Sequence, residues 1–272
     1  MCAFEAERQV VQVGALYVYP LKSAAGIALT RAEVDEFGLR HDRRWMITAA
    51  DGRFISQREE PRLALIVPVL HEEWLVLTAP RMEPLRLALD PSDCASRVRV
   101  VVWGDEVRAT PMGDEADQWA SDFLGRRCRL VHVATEQGRQ ISVHAKVGFA
   151  DAFPFLLIGE ESLEDLNGRL ARPVPMNRFR PNIVVRGAGP FAEDGWKRIE
   201  IAGIVFRVVK PCARCVVTTT DQATGRRAPD AEPLRTLATY RRVGQDVLFG
   251  QNLVHEGCGR IAVGDAVRVL ER

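Results

Sequence analysis

The 272-residue chain lacks a long apolar run and lacks an excess of charge of either sign. No stretch stays apolar for the length that a bilayer-spanning helix needs, and 37 basic residues stand against 36 acidic ones, a net charge of +1. The first residues are acidic and contain no apolar segment of the kind found in signal peptides. From these absences we expect a soluble, cytoplasmic protein that binds neither membranes nor nucleic acid.

Several catalytic and structural signatures are missing as well. The sequence has no Rossmann fingerprint, no P-loop and no serine nucleophile elbow. The histidines show no metal-ligand spacing, which indicates surface or satisfied core positions for His41, His71, His132, His144 and His255. The cysteines are spread along the chain, which is unlike a small disulfide scaffold and indicates a reducing compartment: Cys2, Cys94, Cys128, Cys212, Cys215 and Cys258.

What the sequence does contain is many short β-patterned segments. Residues alternate between apolar and polar, or are β-branched, in runs bounded by turn signals, such as residues 11–19, 45–48, 54–58, 63–70, 74–78 and 98–103. Helices are few and are predicted over residues 114–124, with Asp114 as the cap, over 161–170 and after Pro233. The sequence thus predicts a β-rich α+β fold containing a barrel or closed meander, with a domain crossing in the polar residues 134–151.

One stretch, residues 208–221, looks least like ordinary core. Cys212 and Cys215 flank Arg214, and five basic residues against one acid give residues 207–227 a local charge of +4. A zinc ribbon would need a second cysteine pair, and a thioredoxin-type pair would open a helix, whereas the β-branched residues after Cys215 predict a strand. Two alternatives remain: a thiolate stabilised by cations and suited to a thiophilic metal, or two small apolar cysteines in a β core.

A second feature is a set of polar side chains in predicted loops or at strand ends: Lys22, Ser23, Arg43, Arg58, Asp151, Arg180 and Asn182. Taken one at a time, each is more simply a solvated group. Arg180 and Asn182 stand out because they frame Pro181 directly before an apolar strand. Arginine forks match phosphate or carboxylate, so these side chains would form an anion pocket if the fold brought them together.

These residues resemble the MOSC family, named for the C-terminal domain of molybdenum cofactor sulfurase, and in particular the amidoxime-reducing component of mitochondria and its bacterial relatives. The match spans residues 11–270, with motifs that include Tyr19-Pro-Leu-Lys-Ser, Asp42-Arg43-x-Trp45-Met, Gln57-Arg58-x-x-Pro61, Phe179-Arg-Pro-Asn182, Cys212-Ala-Arg-Cys-x-x-Thr-Thr and Phe249-Gly-Gln-Asn252. The resemblance implies an N-terminal MOSC-associated β-barrel domain over residues 10–130, packed on a MOSC β-barrel domain over residues 131–272.

The resemblance also implies a molybdenum–molybdopterin cofactor without a nucleotide extension. Its metal is expected to be held by the pterin dithiolene and by Cys215, with Cys212 not a ligand, and Asp151 matches a family acid close to the metal, so Cys215 and Asp151 are expected to be catalytic. The residues expected to hold the pterin or its phosphate are Lys22, Ser23, Arg43, Arg180, Asn182, Arg214 and Asn252. Ala150 and Ala213 stand where hydroxyl residues are expected, which puts particular hydrogen bonds in question but not the cofactor.

The activity implied by the resemblance is two-electron reduction of small N-hydroxylated compounds, such as amidoximes, hydroxylamines and N-hydroxylated bases. The electrons would come from a separate ferredoxin-, cytochrome- or flavin reductase-type protein, because we expect no C-terminal iron–sulfur domain in this chain. The alternative is a non-catalytic module that carries or stores molybdenum cofactor or sulfur. A reductase acting on another substrate class, such as a sulfoxide or nitrite, is the remaining option.

Overall fold

The computed structural model describes residues 10–91, 96–141, 143 and 146–272. The N-terminal segment with Cys2, together with Cys94 and His144, lies outside these residues, so the expectations for them stay predictions. Within the described ranges, no helix combines the length and the apolar character that crossing a membrane requires.

Short strands are the most numerous regular elements of the described chain. They are β1 (Gln12–Val18), β2 (Ile27–Leu29), β3 (Arg31–Asp35), β4 (Gly38–Leu39), β5 (Trp45–Ala49), β6 (Val67–Leu70), β7 (Trp74–Thr78), β8 (Leu85–Ala88), β9 (Val98–Val102), β10 (Asp105–Pro111), β11 (Cys128–His132), β12 (Arg139–Gln140), β13 (Lys146–Val147), β14 (Phe155–Gly159), β15 (Ile183–Arg186), β16 (Arg198–Ile201), β17 (Ile204–Arg214), β18 (Thr220–Asp221), β19 (Arg226–Arg227), β20 (Arg242–Val243), β21 (Asp246–His255), β22 (Gly259–Ala262) and β23 (Val267–Glu271). The α-helices of the described residues are α1 (Asp114–Leu124), α2 (Glu160–Arg169) and α3 (Leu234–Tyr240). The predicted β-rich α+β fold is confirmed.

The largest sheet joins the beginning of the chain to its C-terminal half. Its strand order is β2-β1-β15-β14-β21-β17-β16-β23, and β1 runs antiparallel to β15 while β14 and β15 are parallel. Leu16, Phe155 and Phe206 are buried in the core that this sheet covers. Because of these strand directions, the end of β1 and the starts of β14 and β15 lie at one edge, so the loops attached to them meet there.

The N-terminal unit packs smaller sheets around a second core. Sheets β5-β11-β10-β9 and β6-β7-β8 contribute buried apolar side chains such as Trp45 and Leu75, and α1 adds Trp119 and Ala120. Gly113 occupies the N-cap of α1 without a side-chain cap, so the prediction that Asp114 caps this helix is wrong by one residue. As the first helical residue, Asp114 still places a carboxylate at the positive end of the helix dipole.

The segment between β5 and β6 differs from the predicted strands over residues 54–58 and 63–70. Phe54 forms only an isolated bridge with Thr48, and a short 3₁₀ helix, Pro61–Leu65, precedes β6. Proline presets the backbone for a helical first turn, and here Pro61 stands at the start of that turn. The local geometry of proline therefore overrides the apolar strand pattern.

Two irregularities bend β17 where it pairs with β21. The register passes from Val208↔Leu253 to Lys210↔Asn252, which adds a residue to β17, and from Pro211↔Gln251 to Ala213↔Leu248, which adds one to β21. Bulges of this kind kink a strand and redirect the side chains beyond it. They lie on either side of Pro211 and therefore determine the direction of the segment that carries Cys212 and Cys215.

Directly after β17, the chain turns rather than continuing as a strand. Residues Val216–Thr219 form a 3₁₀ helix, so the prediction of a strand after Cys215 is wrong. The Cys215 carbonyl accepts hydrogen bonds from the Thr218 amide at 3.1 Å and from the Thr218 hydroxyl at 3.0 Å. A threonine hydroxyl competes with strand pairing in this way, and here this local bond outweighs β-propensity.

We predict that Gly250→Ala destabilises the fold more than Gly264→Ala does. Both glycines have positive φ, +81° and +94°, but an added Cβ at Gly250 would lie 2.8 Å from the Leu157 carbonyl oxygen, whereas at Gly264 it would meet nothing within 4 Å. Backbone strain alone costs about 1–2 kcal/mol, and overpacking adds about 1–3 kcal/mol at Gly250. Urea denaturation followed by tryptophan fluorescence measures both losses, and equal losses would contradict the assigned close approach.

Candidate functional site

A cavity of about 460 Å³ lies where the loops attached to β1, β14 and β15 meet the end of β17. All the residues that the sequence predicts for the site line this one cavity: Lys22, Ser23, Arg43, Asp151, Arg180, Asn182, Arg214, Cys215 and Asn252. The predicted convergence of these loops is therefore present in the fold, while the role of each residue remains a prediction.

Cys215 is the first residue beyond β17. Its side chain is half-buried, its thiol is free, and none of the described cysteines forms a disulfide. The described residues contain no cluster of histidine, cysteine and carboxylate side chains that could hold a metal ion by themselves. A metal bound through Cys215 would therefore need ligands from a cofactor rather than from a protein cage.

Arg214 lies beside the cysteines but contacts the first of them. Its Nη1 donates to the Cys212 Sγ at 3.0 Å and its Nη2 donates to the Phe179 carbonyl at 2.6 Å, whereas its Nε is buried without a hydrogen-bond partner among the described residues. The cation that was expected to stabilise a thiolate thus engages Cys212 directly. The unused Nε is an orphaned donor of the kind that a bound acceptor satisfies.

Tyr19 holds two arginines together. The Arg43 guanidinium lies 4.4 Å and the Arg180 guanidinium 4.3 Å from the centroid of the Tyr19 ring, and the Tyr19 hydroxyl donates to the Pro181 carbonyl at 3.0 Å. Burial raises the pKa of Tyr19 well above its ordinary value, although both arginines oppose this shift. Burial also lowers the pKa of Arg180 to about 10. Tyr19 was expected only as part of the Tyr19-Pro-Leu-Lys-Ser motif, and no residue pattern pointed to its contacts with two arginines.

Asn182 anchors this arrangement from inside the protein. Its side chain is 1% exposed, its Oδ1 accepts from Arg43 Nη1 at 3.0 Å, and its Nδ2 donates to Asp42 Oδ1 at 3.2 Å and to the Tyr17 carbonyl at 3.3 Å. Asp42 in turn forms an ion pair with Arg43. Asn182 therefore orients Arg43, and its expected contact with the cofactor stays a prediction.

Asn252 also lines the cavity and, like Asn182, bonds to neighbouring protein groups. Its Nδ2 donates to the carbonyls of Lys210 at 3.4 Å and Pro211 at 3.3 Å. These bonds tie β21 to the bulged part of β17. Ser23 lines the cavity from the loop after β1, and its carbonyl accepts a hydrogen bond of 2.6 Å from the buried Gln57 side chain.

Lys22 and Asp151 form an ion pair across the cavity. The Lys22 Nζ donates to Asp151 Oδ1 and to the Phe149 carbonyl, the latter at 2.7 Å. Burial lowers the pKa of Lys22, and Asp151 opposes that shift. Partial burial would raise the pKa of Asp151, but Lys22, the Trp103 indole and Arg58 together lower it by more, so this carboxyl, 59% exposed, is ionised.

Four of the nine described non-glycine residues with positive φ line this cavity. Ser23, Arg43, Trp103 and Arg180 have φ values of 69°, 47°, 61° and 57°, and all of them line it. Such conformations cost free energy and persist where the surrounding structure holds them, which occurs most often at functional sites. This strain supports a functional role for the cavity on grounds other than the sequence motifs.

The cavity carries an excess of positive charge, because six cations line it against two carboxylates, Asp151 and Asp246. Lys22 pairs with Asp151 and Arg43 with Asp42. The other lining cations form no ion pair with a carboxylate of the described residues and contact carbonyls, aromatic rings or sulfur instead: Arg58, Arg180, Lys210 and Arg214. Partly buried charge of one sign needs a counter-charge. The donor set therefore suits an anionic, phosphorylated cofactor whose metal takes a soft thiolate.

A larger cavity, of about 680 Å³, lies elsewhere and contains none of the predicted site residues. His41 and His132 line it, and burial lowers their pKa values to about 4 and about 3. His132 is buried against Trp45, with ring centroids 4.8 Å apart. His132 is thus a core histidine, but the predicted satisfied position is not confirmed, because its Nδ1 has no hydrogen-bond partner among the described residues.

Fold and site together define a β-barrel protein whose cavity combines a free cysteine with unpaired cations. Sequence models of two families match the chain, "MOSC N-terminal beta barrel domain" over residues 10–127 and "MOSC domain" over residues 144–268. The chain belongs to the MOSC family, as the resemblance predicted.

Curated relatives support this assignment. The chain is 37% identical to "Mitochondrial amidoxime-reducing component 1" of Mus musculus, over 97% of this chain and 83% of the relative. It is 35% identical to the protein of the same name from Homo sapiens, over 97% and 84% of the two chains. It is also 31% identical to "Molybdenum cofactor sulfurase" of Oryza sativa subsp. japonica, over 90% of this chain and 33% of that relative.

We predict that Tyr19→Leu lowers the free energy of unfolding much more than Tyr19→Phe does. The phenylalanine variant loses the hydrogen bond to the Pro181 carbonyl, about 1 kcal/mol, but keeps the ring between both arginines. The leucine variant also loses two cation–π contacts, each worth about 0.5–2 kcal/mol. Urea denaturation measures the difference, and equal losses in the two variants would show that the ring does not hold the arginines.

Proposed function

We propose that the protein is a molybdenum-cofactor-dependent oxidoreductase that reduces small N-hydroxylated compounds. The single observation that carries this proposal is the coexistence, in one cavity, of the free Cys215 thiol and four cations without a carboxylate partner among the described residues. A phosphorylated pterin supplies the missing negative charge, and its metal takes the thiolate. Several curated relatives are named for amidoxime reduction, which supports the choice of substrate.

The chain's own residues would hold a molybdopterin without nucleotide in distinct ways. Cys215 supplies the thiolate ligand, and Arg180 and Arg214 offer guanidinium donors to phosphate or pterin oxygens. Ser23, Lys22 and Arg43 line the same wall, with Arg43 oriented by Asn182, while Asn252 fixes the strand that presents Cys215. When bound, the molybdenum centre supplies the two-electron chemistry that no side chain can supply.

The Lys22–Asp151 pair is the group best placed to handle protons. Two-electron reduction of an N–OH bond consumes two protons and releases water, so the site needs a proton donor. Because burial lowers the pKa of Lys22, its ammonium gives up a proton more readily than that of an exposed lysine. Asp151, ionised and hydrogen-bonded to the Lys22 Nζ, holds this donor in the cavity. The electrons come from a separate donor protein.

A carrier of molybdenum cofactor or sulfur is the second candidate function. The match to a molybdenum cofactor sulfurase, of which this chain covers 33%, favours it. A carrier would bind the cofactor through the same residues but would show no turnover, so activity of the loaded protein separates the two functions.

We predict that Cys215→Ala, but not Cys212→Ala, retains less molybdenum than the wild type and loses turnover. Both thiols line the cavity, but only Cys215 is assigned as a ligand. Cys212→Ala is therefore the matched control for Cys215→Ala. The protein is expressed in a host that makes molybdopterin, its metal and pterin are quantified, and reduction of benzamidoxime by a reduced viologen dye is followed.

The expected result is metal, pterin and turnover in the wild type, most of each in Cys212→Ala, and no turnover in Cys215→Ala. Wild-type protein without molybdenum, or a Cys215→Ala variant that reduces benzamidoxime at the wild-type rate, would refute the proposed function. Metal and pterin without turnover in the wild type would establish the carrier instead.

We also predict that Arg180→Ala retains less pterin. A charge-assisted hydrogen bond to phosphate contributes roughly 1.5–3 kcal/mol, so retention during dialysis should fall about tenfold or more. The exposed Arg186 at the end of β15 provides the control variant, Arg186→Ala. Equal pterin occupancy in Arg180→Ala and wild type after dialysis would count against a phosphate-binding role.

A further inference from the structure

Trp103 occupies an unusual position for a tryptophan. It lies in the two-residue loop between β9 and β10, where Val102 pairs with Asp105, and its φ is +61°. Two-residue hairpin loops with positive φ at the first position favour glycine there. A bulky residue in such a conformation carries strain, so contacts made by its side chain must hold it.

Three neighbours fix the indole of Trp103. The Arg58 guanidinium lies 4.3 Å from the ring, the Phe54 ring packs edge-on with centroids 5.0 Å apart, and the indole Nε1 donates to Asp151 Oδ1 at 3.1 Å. Despite these contacts, Trp103 is 50% exposed and lines the cavity that contains Cys215. The N-terminal unit thus extends a rigid aromatic surface into a site otherwise made largely by the C-terminal half.

Most other aromatic rings at the cavity cannot offer such a surface. Phe155 and Phe179 line it but are 1% and 0% exposed, because their rings pack in the protein core. Phe153 is half-buried, and the Lys210 ammonium lies 5.5 Å from its ring. Trp103 therefore presents the most accessible large aromatic ring at this mouth among the residues described.

We propose that Trp103 is a specificity residue that stacks against planar, conjugated N-hydroxylated substrates and favours them over saturated ones of the same size. This inference rests on the proposed reductase function and names the substrate class for that site. Stacking depends on a flat π-surface on both partners, and a tryptophan fixed by Arg58 and Asp151 loses little freedom when a ring docks on it. A saturated ring of equal volume gains only ordinary apolar contact.

The test compares two substrates that differ only in planarity, benzamidoxime and cyclohexanecarboxamidoxime. Steady-state kcat and KM are measured for molybdenum-loaded full-length wild type, Trp103→Leu, Trp103→Phe and the control Trp74→Leu. Trp74 is 44% exposed but lies on β7 and does not line the cavity. The phenylalanine variant keeps a flat ring but loses the N–H that reaches Asp151, and so separates stacking from the hydrogen bond.

Trp103→Leu should raise the KM for benzamidoxime about tenfold and that for the saturated analogue less than about twofold. Trp103→Phe should keep most of the discrimination, and Trp74→Leu all of it. An equal loss for both substrates in Trp103→Leu would mean that Trp103 only positions Asp151, and unchanged kinetics would mean that it has no role in the site. Either result overturns the proposal.

A binding measurement keeps this inference separate from the reductase function. If the loaded wild type reduces neither amidoxime, the proposed function fails, and calorimetric titration of the same proteins with benzamidoxime decides the role of Trp103. Affinity about tenfold weaker in Trp103→Leu than in Trp74→Leu supports the aromatic platform. Equal affinities, or no binding by the wild type, refute it.

Discussion

The site depends on holding like charges together at close range in a partly buried place. Arg43 and Arg180 are both positioned against the Tyr19 ring, and Arg214 is held by a carbonyl and a sulfur. Cation–π contacts and carbonyl acceptors orient guanidinium groups without cancelling their charge. Asp42 pairs with Arg43, whereas Arg180 and Arg214 have no carboxylate partner among the described residues, so their charge stays available to a ligand. The cations are therefore already in position before an anion binds. The positive φ angles of Arg43 and Arg180 are part of the free-energy cost of this arrangement.

The fold satisfies this constraint by bringing three separate loops to one edge of the large sheet. The antiparallel pairing of β1 with β15 and the parallel pairing of β14 with β15 place the chain around Lys22, Asp151 and Arg180 side by side. The two bulges between β17 and β21 then direct Cys215 toward the cations. Lys210 and Arg214 lie on β17, the strand that leads directly into Cys215, whereas Lys22, Arg43 and Arg58 come from the N-terminal unit, so neither that unit nor the C-terminal half forms the site alone.

How much of this could be predicted from the sequence follows from the range of each interaction. Strand periodicity is local, and it located β1, β5, β7 and β9. The resemblance to the MOSC family identified residues that line the cavity. The contacts of the Tyr19 ring with Arg43 and Arg180 could not be predicted, because they depend on how loops that are far apart in the chain pack together. The same holds for the hydrogen bond from Trp103 to Asp151, which joins residues 48 positions apart. Local chemistry also reversed two local expectations: Pro61 replaced a strand with a 3₁₀ turn, and the Thr218 hydroxyl did the same after Cys215. Arg214 contacts Cys212 rather than Cys215 because of the bulges in β17 and β21, and no residue pattern predicts those bulges.

The central claim is that the thiolate of Cys215, set among unpaired cations, is the protein's ligand to a molybdenum cofactor. X-ray absorption at the molybdenum edge, recorded on purified wild type, Cys215→Ser and Cys212→Ser, tests it most directly, because it counts the sulfur neighbours of the metal whether or not the protein turns over substrate. We predict that the metal retained by Cys215→Ser has one sulfur neighbour fewer than in the wild type and that Cys212→Ser matches the wild type. An unchanged sulfur count in Cys215→Ser, or the loss of a sulfur in Cys212→Ser instead, would contradict the account.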